Sequence, residues 1–230
     1  ITVVNASKTN FVATDANTYT CDITPDAVGN ITINVGAGVC TDSATNNNTA
    51  ASQVTVIYDA SAPTVAIQNA PAYKNSMTAF NITVEFSQGV TGFDVGDLTV
   101  VNGSKTNFIA TDANTYTCDI TPDGVGNITI NVGAGVCTDS ATNNNTAASQ
   151  VTVIYDAAAP TVAIQNAPAY KNNTSLFNVT LEFSQGVTGF DVSDITVVNA
   201  SKTNFVATDA NTYTCDITPD AVGNITINIG

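Results

Sequence analysis

Apolar and polar positions alternate with a period of two along most of the chain, the signature of strands with one buried face. Phe80, Ile82, Val84 and Phe86 fall on one side of a run whose other side is Asn81, Thr83 and Glu85. Tyr116, Cys118 and Ile120 alternate with Thr117 and Asp119, and Ile128, Ile130 and Val132 alternate with Thr129 and Asn131. Val151, Val153 and Tyr155 close the series. Turn-forming residues separate these runs at Gln88 and Gly89, at Asn102 and Gly103, and over residues 122–126. No stretch carries the apolar spacing of an amphipathic helix, so the pattern predicts an all-β chain.

The pattern itself repeats. ITVVNASKTNF begins at Ile1, LTVVNGSKTNF at Leu98 and ITVVNASKTNF at Ile195, a spacing of 97 residues both times. Residues 1–59 differ from 98–156 at only four places, whereas 60–97 and 157–194 differ at eight. Several of the eight cluster where Ser76, Met77, Thr78 and Ala79 face Asn173, Thr174, Ser175 and Leu176, which marks a surface loop. Proline-containing linkers at 58–63 and 155–160 interrupt strand pairing and set the boundaries. The expected organisation is the C-terminal part of a repeat over 1–59, a complete repeat over 60–156 and the N-terminal part of a third over 157–230. About seven short strands per repeat is the rhythm of an immunoglobulin-like sandwich, so tandem β-sandwich domains are expected. A start at Ile1, without Met or a charged leader, reads as part of a longer chain.

The order APTVAI, FNITVEFSQGVTGFDVGDLTVVNGS and TYTCDITPDGVGNITINVGAGVCTDSATNNNTAAS resembles the bacterial immunoglobulin-like repeats of giant surface proteins and adhesins. The resemblance covers the complete repeat and both partial ones. It implies β-sandwiches in a head-to-tail array, an extracellular or cell-surface location, and a spacer or adhesive role. Two departures are the recurring cysteines and TDSATNNN, where many members carry an acidic residue followed by Ala-Gly-Asn; the second weakens any metal site the resemblance would bring.

Composition removes whole classes of function. The net charge is -14, with five Lys as the only cations. Nucleic-acid binding needs a basic surface, so it is excluded as an expectation, as is attraction to anionic membranes. No apolar run approaches the roughly 20 residues of a spanning helix, so no membrane insertion is expected. Histidine is absent, which removes the commonest acid-base group and imidazole metal ligand. Glu85 and Glu182 occupy equivalent positions in different repeats, not two sides of a cleft, and near-identical repeats do not suit a single active site. No enzymatic activity is expected.

Three residue sets remain as candidates. Cys21 and Cys40, and Cys118 and Cys137, are each 19 residues apart, and the partner of Cys215 would fall at position 234, past Gly230. Disulfides are the expected reading, worth about 3 kcal/mol per repeat and implying an oxidising compartment, against buried free thiols or metal and redox chemistry. Asn-x-Ser/Thr sequons occur at Asn5, Asn30, Asn47, Asn81, Asn102, Asn127, Asn144, Asn172, Asn173, Asn178, Asn199 and Asn224. They are about twice as frequent as chance, and several alternate with core positions and so point outward. N-linked glycans are the expected modification, against a bare Asn/Thr surface. Calcium is the one candidate cofactor, at repeat junctions. Its ligands would be Asp139, Asp156 and Glu182 with Asp191 and Asp194, and one period earlier Asp42, Asp59 and Glu85 with Asp94 and Asp97. The alternative is solvated carboxylates that keep the chain soluble.

Three functions fit these features: a structural filament of glycosylated sandwiches joined to copies of itself, the stalk of a large adhesin, or a module binding glycans or ice through its Thr/Asn faces. The filament is the leading expectation and the stalk its alternative, because units that contact mainly their neighbours suit a spacer better than a pocket.

Overall fold

The computed structural model describes residues 1–230 and divides into two compact units, Ile1–Ala157 and Ala158–Gly230. The first unit opens with β1 (Thr2–Val4), β2 (Ala6–Ala13), β3 (Tyr19–Pro25), β4 (Gly29–Asn34) and β5 (Val54–Tyr58). These pair as a three-stranded sheet β1-β4-β5 and a hairpin β2-β3. The complete repeat follows as β6 (Val65–Gln68), β7 (Tyr73–Lys74), β8 (Phe80–Phe86), β9 (Leu98–Val101), β10 (Gly103–Ala110), β11 (Thr115–Pro122), β12 (Gly126–Val132) and β13 (Val151–Tyr155). The sequence pattern led to about seven strands; the eighth is two-residue β7, too short to show a period and paired parallel to β13.

Two four-stranded sheets result, β10-β11-β8-β6 and β7-β13-β12-β9. Alternation places Ile82, Val84 and Phe86 of β8 and Cys118 and Ile120 of β11 against Ile128, Ile130 and Val132 of β12 and Val153 of β13 in one core. The chain changes sheets between β9 and β10 at Asn102, whose φ of 58° is a left-handed turn that asparagine tolerates. Its amide donates to the Gly124 carbonyl at 2.8 Å, tying that corner to the β11–β12 turn. One end of the core is aromatic: Phe93 meets Phe86 and Tyr116 edge-on at 5.0 and 4.9 Å, with Phe108 stacked on Tyr116 at 5.7 Å.

The second unit consists of β14 (Val162–Gln165), β15 (Phe177–Phe183), a single 3-10 turn (Val192–Asp194), β16 (Ile195–Val198), β17 (Ala200–Ala207), β18 (Thr212–Pro219) and β19 (Thr226–Ile229). It repeats the first of these sheets in full, as β14-β15-β18-β17, and two strands of the other, as β16-β19. Ile82 and Val84 become Val179 and Leu181, all four fully buried. One methylene moves from one site to its neighbour, so core volume is kept, the kind of exchange cores tolerate best.

Candidate functional site: a hydrogen-bonded joint at the repeat boundary

The buried polar side chains of the chain are Asp139 and Asn145, both in the loop after β12. Asn145 satisfies its whole amide: its oxygen accepts from the Val136 and Cys137 N–H groups at 2.9 and 3.1 Å, and its nitrogen donates to the Gly133 and Thr146 carbonyls at 2.8 Å each. Asp139 folds the loop tip. One of its oxygens accepts from the Ala141 and Asn143 N–H groups at 2.8 and 2.9 Å, the other from the Asn143 and Gln88 amides at 3.0 and 2.7 Å. Burial pushes the Asp139 carboxyl up, but these hydrogen bonds to the charged form outweigh it and the net shift is downward.

The same side chains hold the incoming linker. Asn143 donates to the Asp59 carbonyl at 3.1 Å and Gln88 to the Ser61 carbonyl at 3.0 Å. The Thr146 N–H donates to the Pro63 carbonyl at 2.8 Å. Three alternate carbonyls of the segment between the repeats are thus each given a donor from the body of the following sandwich. Each such bond is worth about 1 kcal/mol net, enough together to hold the linker against fraying. In the first repeat Asp42 accepts from Ala44, Asn46 and the Asn46 amide with the same geometry, 2.8, 2.9 and 3.0 Å. The loop is therefore shaped by its own sequence, before any linker docks on it. In the second unit Gln185 makes the matching bond to the Ala158 carbonyl at 3.1 Å.

The sequence pointed to Asp139 as a metal ligand and missed Gln88, Asn143, Asn145 and Thr146. An aspartate two and four residues before backbone N–H donors is the available signal, since that spacing makes an Asx turn.

The cysteine expectation is corrected. All five cysteines are free thiols. Cys118 lies mid-strand on the inward face of β11, its sulfur directed at the Thr106 carbonyl at 3.4 Å, and Cys215 repeats this with Thr203 at 3.4 Å. Cys137 lies instead in the loop beyond β12, with Asp97 and Tyr116 as its charged and ionisable neighbours. Cys118 and Cys137 both lie in the one core cluster and neither is bonded to the other, so the recurring spacing of 19 is that of the repeat. Cys21 and Cys40 likewise stay unpaired. Burial pushes the Cys118 and Cys215 thiols up, and that of Cys137 to about 11. The oxidising compartment inferred from disulfides loses that support.

The calcium candidates do not converge: no three acidic, cysteine or histidine side chains stand close enough to hold a metal ion. Each acidic side chain serves its own neighbourhood. Asp59 accepts from the Ser61 N–H at 2.8 Å, Glu85 from Gln68 at 2.7 Å and Glu182 from Gln165 at 2.6 Å. Asp94 and Asp97 close one turn and Asp191 and Asp194 its counterpart, while Asp156 begins the second linker.

Among the sequons, Asn30, Asn47, Asn81, Asn127, Asn144, Asn172, Asn173, Asn178 and Asn224 are exposed. Asn5, Asn102 and Asn199 are half-buried, with their amides donating to turn carbonyls of Ala27, Gly124 and Ala221. Asn81 and Asn107 both donate to Asp119 at 2.8 Å, and Asn178 and Asn204 to Asp216 at 2.9 and 2.8 Å. Each pair brackets one carboxylate across three strands.

The sandwich and its boundary joint define a tandem immunoglobulin-like module. The sequence profile described as "Bacterial Ig-like domain" matches residues 59–155 and 156–229, and the chain belongs to that family. No curated protein sequence matches it. The solved structures that are similar in part include three bacterial proteins. Invasin, a bacterial integrin-binding protein, shares 16% identity over 98% of this chain and 48% of its own, with a TM-score of 0.42. InvD of Yersinia pseudotuberculosis shares 18% over 73% and 52%, TM-score 0.35, and the adhesin InvE of the same organism 17% over 69% and 51%, TM-score 0.26. The chain spans about half the length of these structures.

Proposed function

We propose that this chain is a spacer segment of a bacterial cell-surface protein, a stalk of near-identical sandwiches without catalytic activity. The observation that carries the reading is the joint: Gln88, Asn143 and Thr146 hold the carbonyls of the linker, so consecutive repeats are connected by an ordered segment and not a slack tether. Membership of the bacterial Ig-like family supports a surface location, and no helix here is long and apolar enough to cross a membrane. The test removes one 97-residue repeat from the native protein that carries this chain. Antibody against the repeats should label intact cells before and after, with the outermost epitope moved closer to the surface. Absence of label on unpermeabilised cells overturns the proposal.

A second reading, an extracellular filament bearing N-linked sugar, has one observation in its favour: the exposed, outward amides of Asn81, Asn127 and Asn178. Intact mass before and after deglycosylation decides it, an unchanged mass rejecting the sugar.

A further inference from the structure

The two outer faces of the complete sandwich differ in how they treat their polar groups. On the face of β6, β8, β11 and β10, Glu85 and Asp119 supply negative charge and the side chains are spent on one another, Gln68 on Glu85 and both Asn81 and Asn107 on Asp119. On the face of β7, β13, β12 and β9, strand register builds two adjacent rows. Tyr73, Ile154 and Asn127 lie side by side in one, and Thr152, Thr129 and Val101 in the other. Tyr73 is 72%, Val101 58% and Ile154 39% exposed. None of the six is charged, and the side chains of Asn127, Thr129 and Thr152 make no hydrogen bond within the chain.

We propose that this face is a lateral docking surface for a second copy of the chain. Charge selects the face. With a net charge of -14, two copies repel wherever carboxylates meet, and the six-residue patch has none. Its chemistry suits self-pairing, because a threonine hydroxyl both donates and accepts and therefore satisfies its own symmetry mate across a two-fold contact. Repetition selects the partner. The first repeat carries five of the six positions in the same register, with Asn30 opposite Ile57, Thr32 opposite Thr55 and Val4 beside Thr32, and in the third repeat Val198 stands opposite Thr226. Individually weak patches add up only against a partner whose own patches share their spacing, and a second copy has that spacing by construction. This goes beyond the stalk reading, since stalks paired side by side would stiffen or cross-link a surface layer.

Sedimentation velocity of the 230-residue chain tests it. Self-association should appear with rising concentration and strengthen with salt, which screens the charge but not the patch. Thr32→Asp, Thr129→Asp and Thr226→Asp together place like charges at the centre of the patch and should weaken association at least tenfold. The same number of charges on the other face, Thr20→Asp, Thr117→Asp and Thr214→Asp, should leave it unchanged. Circular dichroism and melting temperature verify that each variant folds, and Tyr73→Ser, at a side chain outside the core, must also weaken association should the triple variant misfold. A wild-type chain that stays monomeric at every concentration and salt overturns the proposal. So does an effect of equal size from the two faces, no effect from the patch, or a monomer that is instead retarded on a neutral polysaccharide matrix, which would make the occupant a saccharide.

Discussion

Thr142 and its counterpart Thr45 hold φ at 67° and 64°, a left-handed conformation that crowds a β-branched side chain. The Asp139 turn forces it, because the Asn143 N–H must reach back to the carboxylate. Thr142→Gly removes the crowding and gives back part of the gain as unfolded-chain entropy, so a net stabilisation of about 0.5–1 kcal/mol is expected. Urea unfolding should show a higher midpoint at unchanged slope, and a lower midpoint would place the strain elsewhere. The thiols are the other residue-scale lesson. Their recurrence was plain in the sequence, but pairing depends on the distance at which the fold holds a strand thiol and a loop thiol, and periodicity carries no such distance. Cys118, Cys137 and Cys215 are buried, while Cys40 is exposed and Cys21 partly so. Iodoacetamide should therefore label Cys40 first and Cys21 next in the native chain, and the other three only in denaturant. Native material with no alkylatable cysteine even when unfolded would restore the disulfides.

Elements were more legible than sites, because a two-residue period reports burial directly while a hydrogen-bonded joint between distant segments leaves only scattered Asn, Gln and Thr. Strands β8, β11, β12 and β13 lie where alternation put them, but Gln88 and Asn143 gave no sign of reaching back to the linker. The repeats also compare themselves. Gly103 begins β10 where the other repeats have buried Ala6 and Ala200. A Cβ at Gly103 would meet the Ile120, Val100 and Ile128 Cγ methyls at 3.2–3.3 Å, tight contacts with stiff β-branched side chains that must give by a few tenths of an ångström, as the repeats with alanine at this position already do. Gly103→Ala is expected to stabilise by about 0.5–1 kcal/mol through reduced unfolded-state freedom, read from thermal unfolding. At the joint, Gln88→Ala with Asn143→Ala should speed amide exchange and proteolysis at residues 59–63 while the exchange of β12 stays slow. Equal loss of protection in both places would make these side chains part of the core and not of a joint.

Across the whole molecule the titrating groups leave a gap. No histidine is present, so no side chain ordinarily changes charge between about pH 5 and 8. On the acid side, hydrogen bonds from Asn107 and Asn81 hold Asp119 below the ordinary 3.8, and those from Asn178 and Asn204 do the same for Asp216. A carboxylate whose pKa is lower in the folded state stabilises the fold fully above the unfolded value and ceases to do so as pH falls through the folded one. On the alkaline side, burial raises the Cys137 thiol from 9.0 to about 11. The folded chain keeps that proton when the unfolded chain has released it, so the contribution is intact below pH 9.0 and is lost as pH rises to about 11. Two consequences follow for the melting temperature: a plateau from about pH 5 to pH 9, and a decline at each end. Replacing Asp119 and Asp216 with Asn should flatten part of the acid decline, the rest belonging to Asp139 and the other hydrogen-bonded aspartates, and Cys137→Ala should shift part of the alkaline one while lowering the plateau through the cavity it leaves. A transition centred between pH 6 and 7 in differential scanning calorimetry would require an ionisable group that this assignment of Asp and Cys does not contain.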